Sequence, residues 1–332
     1  MPWEFFGGGI FGIICGIMDT KHAILALAAV AASLLAVADE TDRTALLHLS
    51  HVHRGGGKLE RPDNTLSTFL WCWGNGSALE CDCRKTADGV GVMLHDKTLR
   101  RTAKFVDPAI ADKKISEEIT WDQIKDLDVG SYLSPEYRYE RVPTIESVFA
   151  AMKGRPTWLC FVDEKGAGPD YIAARAKEAG VQDQVYYTGQ HYDKAIEWTK
   201  LLPGGKTLLW IGTWPVPEPG HNAEDIARFE SHFEKVMDEL RANGFKGVSA
   251  VSLHSYYNPE ADEKFVPRAS YLEKIIREFH EHGIAVCSIP FEGGESEEVY
   301  FKLFEMGCDG FSTDYPSVMF SVIRKLKEGK RE

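Results

Sequence analysis

Between residue 45 and the C-terminus, a short apolar run is followed eight times by a stretch with amphipathic, helical spacing. Few folds accept that alternation. The apolar runs are Leu47–His53, Leu79–Cys83, Trp158–Asp163, Gln184–Thr188, Thr207–Ile211, Gly247–Leu253, Ala285–Ile289 and Gly310–Thr313. Helical spacing occupies 64–74, 144–153, 169–179, 191–201, 222–243, 268–282, 295–306 and 316–328. Parallel strands joined by helices bury both faces of their sheet, and eight such units close on themselves. The expectation is a (β/α)₈ TIM barrel, with residues 39–332 as a single domain.

Two stretches break the alternation. Residues 84–95 contain Asp88-Gly89, a tight-turn signal that leaves no room for a parallel crossover. The chain is therefore expected to fold back as an antiparallel hairpin at the carboxyl face of the barrel. A turn centred between Ala87 and Asp88 sets Glu80 opposite His95, and one centred on Asp88-Gly89 sets Asp82 there. Residues 97–142, rich in charge and proline, form an insertion too long for an ordinary βα loop and are expected over the same face.

Charged and titratable side chains gather where these strands end. His53-Arg54 closes the first, Glu80-Cys81-Asp82 the second and Asp163-Glu164-Lys165 the third. Alternation puts Glu80 with Asp82, and Asp163 with Lys165, on one face. Three carboxylates at one mouth repel unless a cation neutralises them, and hard oxygen ligands select Ca²⁺ or Mg²⁺. His53 and His95 titrate near neutrality and suit the two proton transfers of phosphodiester cleavage. Arg54 and Lys165 suit the non-bridging phosphate oxygens. Gly55-Gly56-Gly57 permits close backbone approach but opens no helix, so it is weak as a phosphate cradle.

A formal net charge of −12 argues against nucleic-acid or anionic-membrane partners, while a bound cation still admits a phosphorylated substrate. From Met18, the order Lys21, apolar Ala23 to Val37, and Ala36-Val37-Ala38 resembles a signal segment (1–38) that directs export. An uncleaved anchor is the alternative, and no stable span is expected in the mature chain. Cys72, Cys81, Cys83, Cys160, Cys287 and Cys308 lack disulfide-framework spacing and read as small buried apolar residues.

These residues together resemble the glycerophosphodiester phosphodiesterase family over roughly 50–318. The resemblance runs through His53-Arg54-Gly55, Pro62-Asp63-Asn64-Thr65, Glu80-x-Asp82, Lys85-x-x-Asp88-Gly89 and His95-Asp96, then Thr98-Leu99 and Arg101-Thr102. It continues through Gly130-Ser131, Val142-Pro143-Thr144 and Asp309 to Pro316. It implies His53 and His95 as the acid–base pair, Glu80, Asp82 and Asp163 on one divalent cation, and Arg54 and Lys165 on phosphate. The implied substrates are glycerophosphodiesters, cleaved to glycerol 3-phosphate and an alcohol.

Three positions depart from the family pattern. Asp63 and Asp163 each stand where glutamate is usual, with Glu164 as a fallback ligand facing the other way. Cys287-Ser288-Ile289-Pro290-Phe291 replaces Trp-Thr-Val-Asn, which leaves Trp210, Trp214 and His254 as candidates for the substrate wall or as ordinary rim residues. A sphingomyelinase D-like or phosphatidylinositol phospholipase C-like barrel is a second reading. A non-catalytic phospho-ligand-binding barrel is a third.

Overall fold

Strand alternation builds this molecule from the inside. In a computed structural model, the inward residues of each strand pass from apolar at the amino end to polar at the carboxyl end. The structure describes residues 44–58, 60–104, 106–212, 223–291 and 294–330. The chain divides into two units, Met1–Ala45 and Leu46–Glu332, and the second contains every strand and helix named below. The signal segment at 1–38 and Trp214 lie outside the described residues.

The strands are β1 (His51–Val52), β2 (Ala78–Lys85), β3 (Gly91–Met93), β4 (Cys160–Glu164), β5 (Val185–Gly189), β6 (Lys206–Ile211), β7 (Ala250–Tyr257), β8 (Phe265–Val266), β9 (Ala285–Phe291) and β10 (Gly310–Thr313). β1, β2, β4, β5, β6, β7, β9 and β10 pair in parallel, and β10 returns to β1, which closes the TIM barrel. The helices are α1 (Leu66–Gly74), then α2 (Pro108–Ala111), α3 (Ile115–Glu118) and α4 (Trp121–Ile124) within the insertion. They continue with α5 (Ile145–Met152), α6 (Pro169–Ala179), α7 (Tyr192–Leu201), α8 (Ala223–Ala242), α9 (Ala269–Glu281), α10 (Glu297–Glu305) and α11 (Pro316–Lys327).

Two cores result. Outward strand residues such as Leu79, Cys81, Val162, Val251 and Val286 pack with the helices in one large cluster. Inward residues Leu49, Ala78, Phe161, Leu208, Ala250 and Cys287 fill the barrel floor. The six cysteines among the described residues are all buried and free, in keeping with their reading as apolar fillers.

The expected first strand is shorter than its pattern. Leu47–Leu49 form a 3₁₀ turn, closed by the Ser50 amide on the Leu47 carbonyl, and only His51–Val52 pair as strand. Leu49 thereby packs into the floor. β7 runs on to Tyr257 and folds back on β8, a pairing the sequence pattern does not signal.

The hairpin forms as expected, with β3 antiparallel to β2, but in neither anticipated register. Cys83 faces Met93 and Lys85 faces Gly91, so the turn centres on Asp88 itself. The reason is the Thr86 side chain. Its hydroxyl donates to Asp88, and Thr86 and Val90 close a five-residue loop through the Thr86 amide and the Val90 carbonyl. An odd loop shifts the register by half a step, and the Leu94 amide meets the Asp82 carbonyl.

The 97–142 insertion has a small core of its own. Leu99, Ala103, Ile115, Ile119, Ile124, Val129 and Val142 pack on Val92 and Leu94. It therefore rests on the hairpin as an ordered cap.

Gly57 is where the His53 loop meets the last strand's exit. Its φ is +63°, and a Cβ would lie 2.3 Å from the Asp314 carbonyl oxygen. Gly57→Ala is expected to destabilise the chain by about 2–4 kcal/mol, as strained backbone and overpacking do together. Urea unfolding checks this, and an unchanged midpoint would contradict it.

Candidate active site

The period-two rule carries Ala78 to Glu80 and Asp82 on β2, Phe161 to Asp163 on β4, and Ala250 to Ser252 and His254 on β7. All reach the carboxyl end of the barrel. Glu80, Asp82 and Asp163 are 0%, 1% and 8% exposed, and one oxygen of each lies within 4.8 Å of the others. Burial and the neighbouring Asp82 and Asp163 push the Glu80 carboxyl well above its ordinary range. Burial, with Asp82, drives Asp163 up to about 6 even though Lys165 opposes it. Glu80 Oε1 is buried and has no hydrogen-bond partner among the described residues. Crowded, dry oxygens with one left unsatisfied fit a hard divalent cation.

The chain's own groups meet part of that demand. Lys165 Nζ lies 2.5 Å from Asp163 Oδ2 and 3.7 Å from Asp82 Oδ1. The Arg54 amide donates to Glu80 Oε2 at 2.7 Å, and Arg54 Nε lies 3.8 Å from Asp82 Oδ2. Arg54 and Asn64 adopt positive φ, 52° and 55°, which is uncommon without glycine and clusters at functional sites. The Asn64 amide bonds the Arg54 carbonyl. The Asn64 side chain donates to Asp82 Oδ2 at 2.8 Å and accepts from the Asp82 amide. Asn64 thus fixes the Asp82 carboxylate.

Both histidines are held through Nδ1 by an aspartate. His53 Nδ1 lies 2.8 Å from Asp314 Oδ1, and His95 Nδ1 lies 2.7 Å from Asp96 Oδ1. A carboxylate accepts, so each Nδ1 carries the proton and Nε2 is the nitrogen left for a substrate. Burial lowers the His95 pKa, and Arg54 and Lys165 add to this against Asp82 and Asp96, so the ring stays neutral near pH 7. Burial alone would raise Asp314, but the His53 bond and the Arg54 and Lys58 charges hold it below the usual carboxylate range. His53 in turn acts electrostatically on Asp163, as Asp82 does on His95.

The structure therefore brings together all seven residues marked in the sequence: His53, His95, Arg54, Lys165, Glu80, Asp82 and Asp163. Glu164 points elsewhere, accepting from the Gly166 and Gly168 amides. Trp210 stands 6.1 Å from His53 and 5.5 Å from His254, ring to ring. With Ser252, Ser312 and Glu80, these rings line a small cavity beneath His53. Burial forces the His254 pKa down to about 3, so that ring is a neutral wall residue.

Sequence reasoning assigned no roles to Asn64, Asp96, Asp314 or Arg84. Arg84, 8% exposed, donates to the His95 carbonyl at 2.6 and 3.0 Å and to the Lys165 carbonyl at 2.6 Å. It ties the two arms of the site together. Spacing could have flagged Asp96 beside His95, but not Asp314, which lies 261 residues from His53.

A TIM barrel with this acid–histidine cluster at its carboxyl face defines a class of hydrolytic site that handles anionic esters. The chain matches the glycerophosphoryl diester phosphodiesterase family over residues 53–165. It is 24% identical over 280 residues to the glycerophosphodiester phosphodiesterase of Caldanaerobacter subterraneus subsp. tengcongensis, covering 82% of this chain and 96% of that one. It is 31% identical over 117 residues to bovine glycerophosphodiester phosphodiesterase 1, covering 34% and 33%. A phosphodiesterase of Oleispira antarctica, solved with the product sn-glycerol-3-phosphate, superposes with TM-score 0.60 at 19% identity, covering 85% of this chain and 99% of that one. The Agrobacterium tumefaciens glycerophosphodiester phosphodiesterase superposes with TM-score 0.58 at 18% identity, covering 82% and 100%.

Because Asp163 is raised in the folded chain, its protonated form favours folding below the unfolded value, and that contribution is lost as pH rises through about 6. A cation reverses the loss. At pH 7, Ca²⁺ or Mg²⁺ at a hundredfold excess over Kd is expected to stabilise the chelator-treated protein by about 2.7 kcal/mol. The gain should be smaller at pH 5 and absent in Asp82→Asn. Thermal unfolding with each ion measures it; equal gains in Asp82→Asn would count against this site.

Proposed function

We propose that this protein hydrolyses glycerophosphodiesters to glycerol 3-phosphate and an alcohol, with one divalent cation, Ca²⁺ or Mg²⁺, held by Glu80, Asp82 and Asp163. The observation that carries this reading is the buried three-carboxylate cluster flanked by two aspartate-anchored imidazoles. The cation would polarise the phosphoryl oxygens and offset their charge. Arg54 and Lys165, already beside the acids, would take the remaining phosphate oxygens.

His95, kept neutral, accepts through Nε2 the proton of the attacking hydroxyl: water, or the substrate's own glycerol hydroxyl, whose cyclic phosphate then takes up water in a second turn of the same pair. His53, protonated on both ring nitrogens with Nδ1 on Asp314, delivers its Nε2 proton to the departing alkoxide as the phosphorus–oxygen bond to the alcohol breaks. Asp96 and Asp314 hold each ring by Nδ1, which leaves Nε2 for both transfers. The Oleispira complex with glycerol 3-phosphate supports the product assignment by kinship.

His53→Ala and His95→Ala are each expected to lower kcat by roughly 10²–10⁴-fold, the usual weight of a general acid or base, with folding intact. The assay is glycerol 3-phosphate release from a panel of glycerophosphodiesters, with chelator and then each ion restored. Wild-type rates in both variants would overturn the assignment.

We also infer export, from the order of Lys21, the apolar run and Ala36-Val37-Ala38. Among the described residues no helix is long and apolar enough to cross a membrane. Amino-terminal sequencing of the exported protein is expected to begin at Asp39. A product that keeps residues 18–38 would support a retained anchor instead.

A further inference from the structure

We propose that Asp63 and Tyr132 form a matched positioning clamp, through which the 97–142 insertion sets the geometry of both His95 and Arg54. The proposal rests on the phosphodiesterase reading. Asp63 stands where the resemblance leads one to expect glutamate, and the structure shows what its shorter side chain meets. The Tyr132 hydroxyl donates to Asp63 Oδ1 and accepts from the Asp63 amide at 2.8 Å, a reciprocal pair. The other oxygen, Oδ2, accepts from Arg101 Nη2 at 2.8 Å and faces Arg54 Nη1 at 3.5 Å.

From Arg101 the connection continues to the proton-transfer group. Arg101 Nε donates to Asp96 Oδ2 at 2.6 Å, and Asp96 Oδ1 holds His95 Nδ1. One carboxylate therefore orients a phosphate-side guanidinium and, through Arg101 and Asp96, a proton-carrying imidazole. Asp63 is 7% exposed, so little water competes for these bonds.

Tyr132 is itself held in place. Asp128 Oδ1 accepts from the Gly130 and Ser131 amides, which turns the chain toward Tyr132. A Cβ on Gly130 would fall 2.1 Å from the Tyr137 carbonyl oxygen, so that turn lies flush against the next one. The tyrosine ring also lies 5.9 Å beneath the Arg101 guanidinium. With the hydroxyl occupying the space beyond Oδ1, an extra methylene at position 63 has to displace either Tyr132 or the arginines. Asp63 and Tyr132 act as a pair.

Asp63→Glu, Tyr132→Phe and the double variant are compared in the full chain with its cation, below each variant's melting temperature. Tyr132→Phe is expected to lower kcat about 5-fold or more with KM nearly unchanged, and the double variant to be no slower than Asp63→Glu alone, as coupled neighbours behave. Single effects that simply multiply would overturn the pairing. So would a Tyr132→Phe variant that melts lower yet turns over at the wild-type rate.

A second readout needs no substrate. The His95 ring resonances are expected to move in Tyr132→Phe while those of His280, on α9, do not; coincident His95 spectra would overturn the clamp. A wild type inert toward every phosphodiester would defeat the functional reading, and the ring spectra would still decide the clamp.

Discussion

Glu80, Asp82 and Asp163 lie buried together at one end of the barrel, and most of the polar structure around them answers to their mutual repulsion. Coulomb interaction at such separations is strong wherever water is excluded. Lys165, the Arg54 amide and Asn64 each engage one of the acids, yet Glu80 Oε1 still lacks a partner among the described residues. Removing any one neutralising group would leave an uncompensated buried charge. The surrounding chain keeps these three acids together, in a group that could hold a cation, at the expense of stability near neutral pH.

The two imidazoles are integrated into that field in different ways. His53 is anchored to Asp314 at the exit of the last barrel strand, so closing the barrel itself completes the pair. His95 is anchored to its own sequence neighbour and reached from the insertion through Arg101 and Asp63. One ring is placed by the scaffold and the other by the cap. A cap with its own small apolar core can hold such a geometry, whereas a bare loop would lose it to conformational entropy.

Much of the fold was legible because its signal is periodic and repeated. The strands at 184–188, 207–211 and 310–313 and the helix at 169–179 fall within a residue or two of where spacing puts them. The hairpin register was not legible, because a Thr86 side-chain bond chose an odd loop over two even ones. The site was legible in part. Residues at strand ends could be found by counting, since alternation fixes which side chains share a face. Partners such as Arg84, Asp314 and Tyr132 could not, because their roles arise from distant segments meeting in space.

Local pattern alone determined the closed eight-fold barrel, the hairpin and the set of seven candidate residues, since backbone periodicity dictates which way each strand residue points. Tertiary structure decided how those residues are charged and oriented. Burial raised Asp163 to about 6 and kept His95 neutral, and a hydrogen bond to Asp314, distant in sequence, holds the His53 ring by Nδ1. Desolvation and distant partners are properties of a packed interior, and no stretch of sequence carries them by itself.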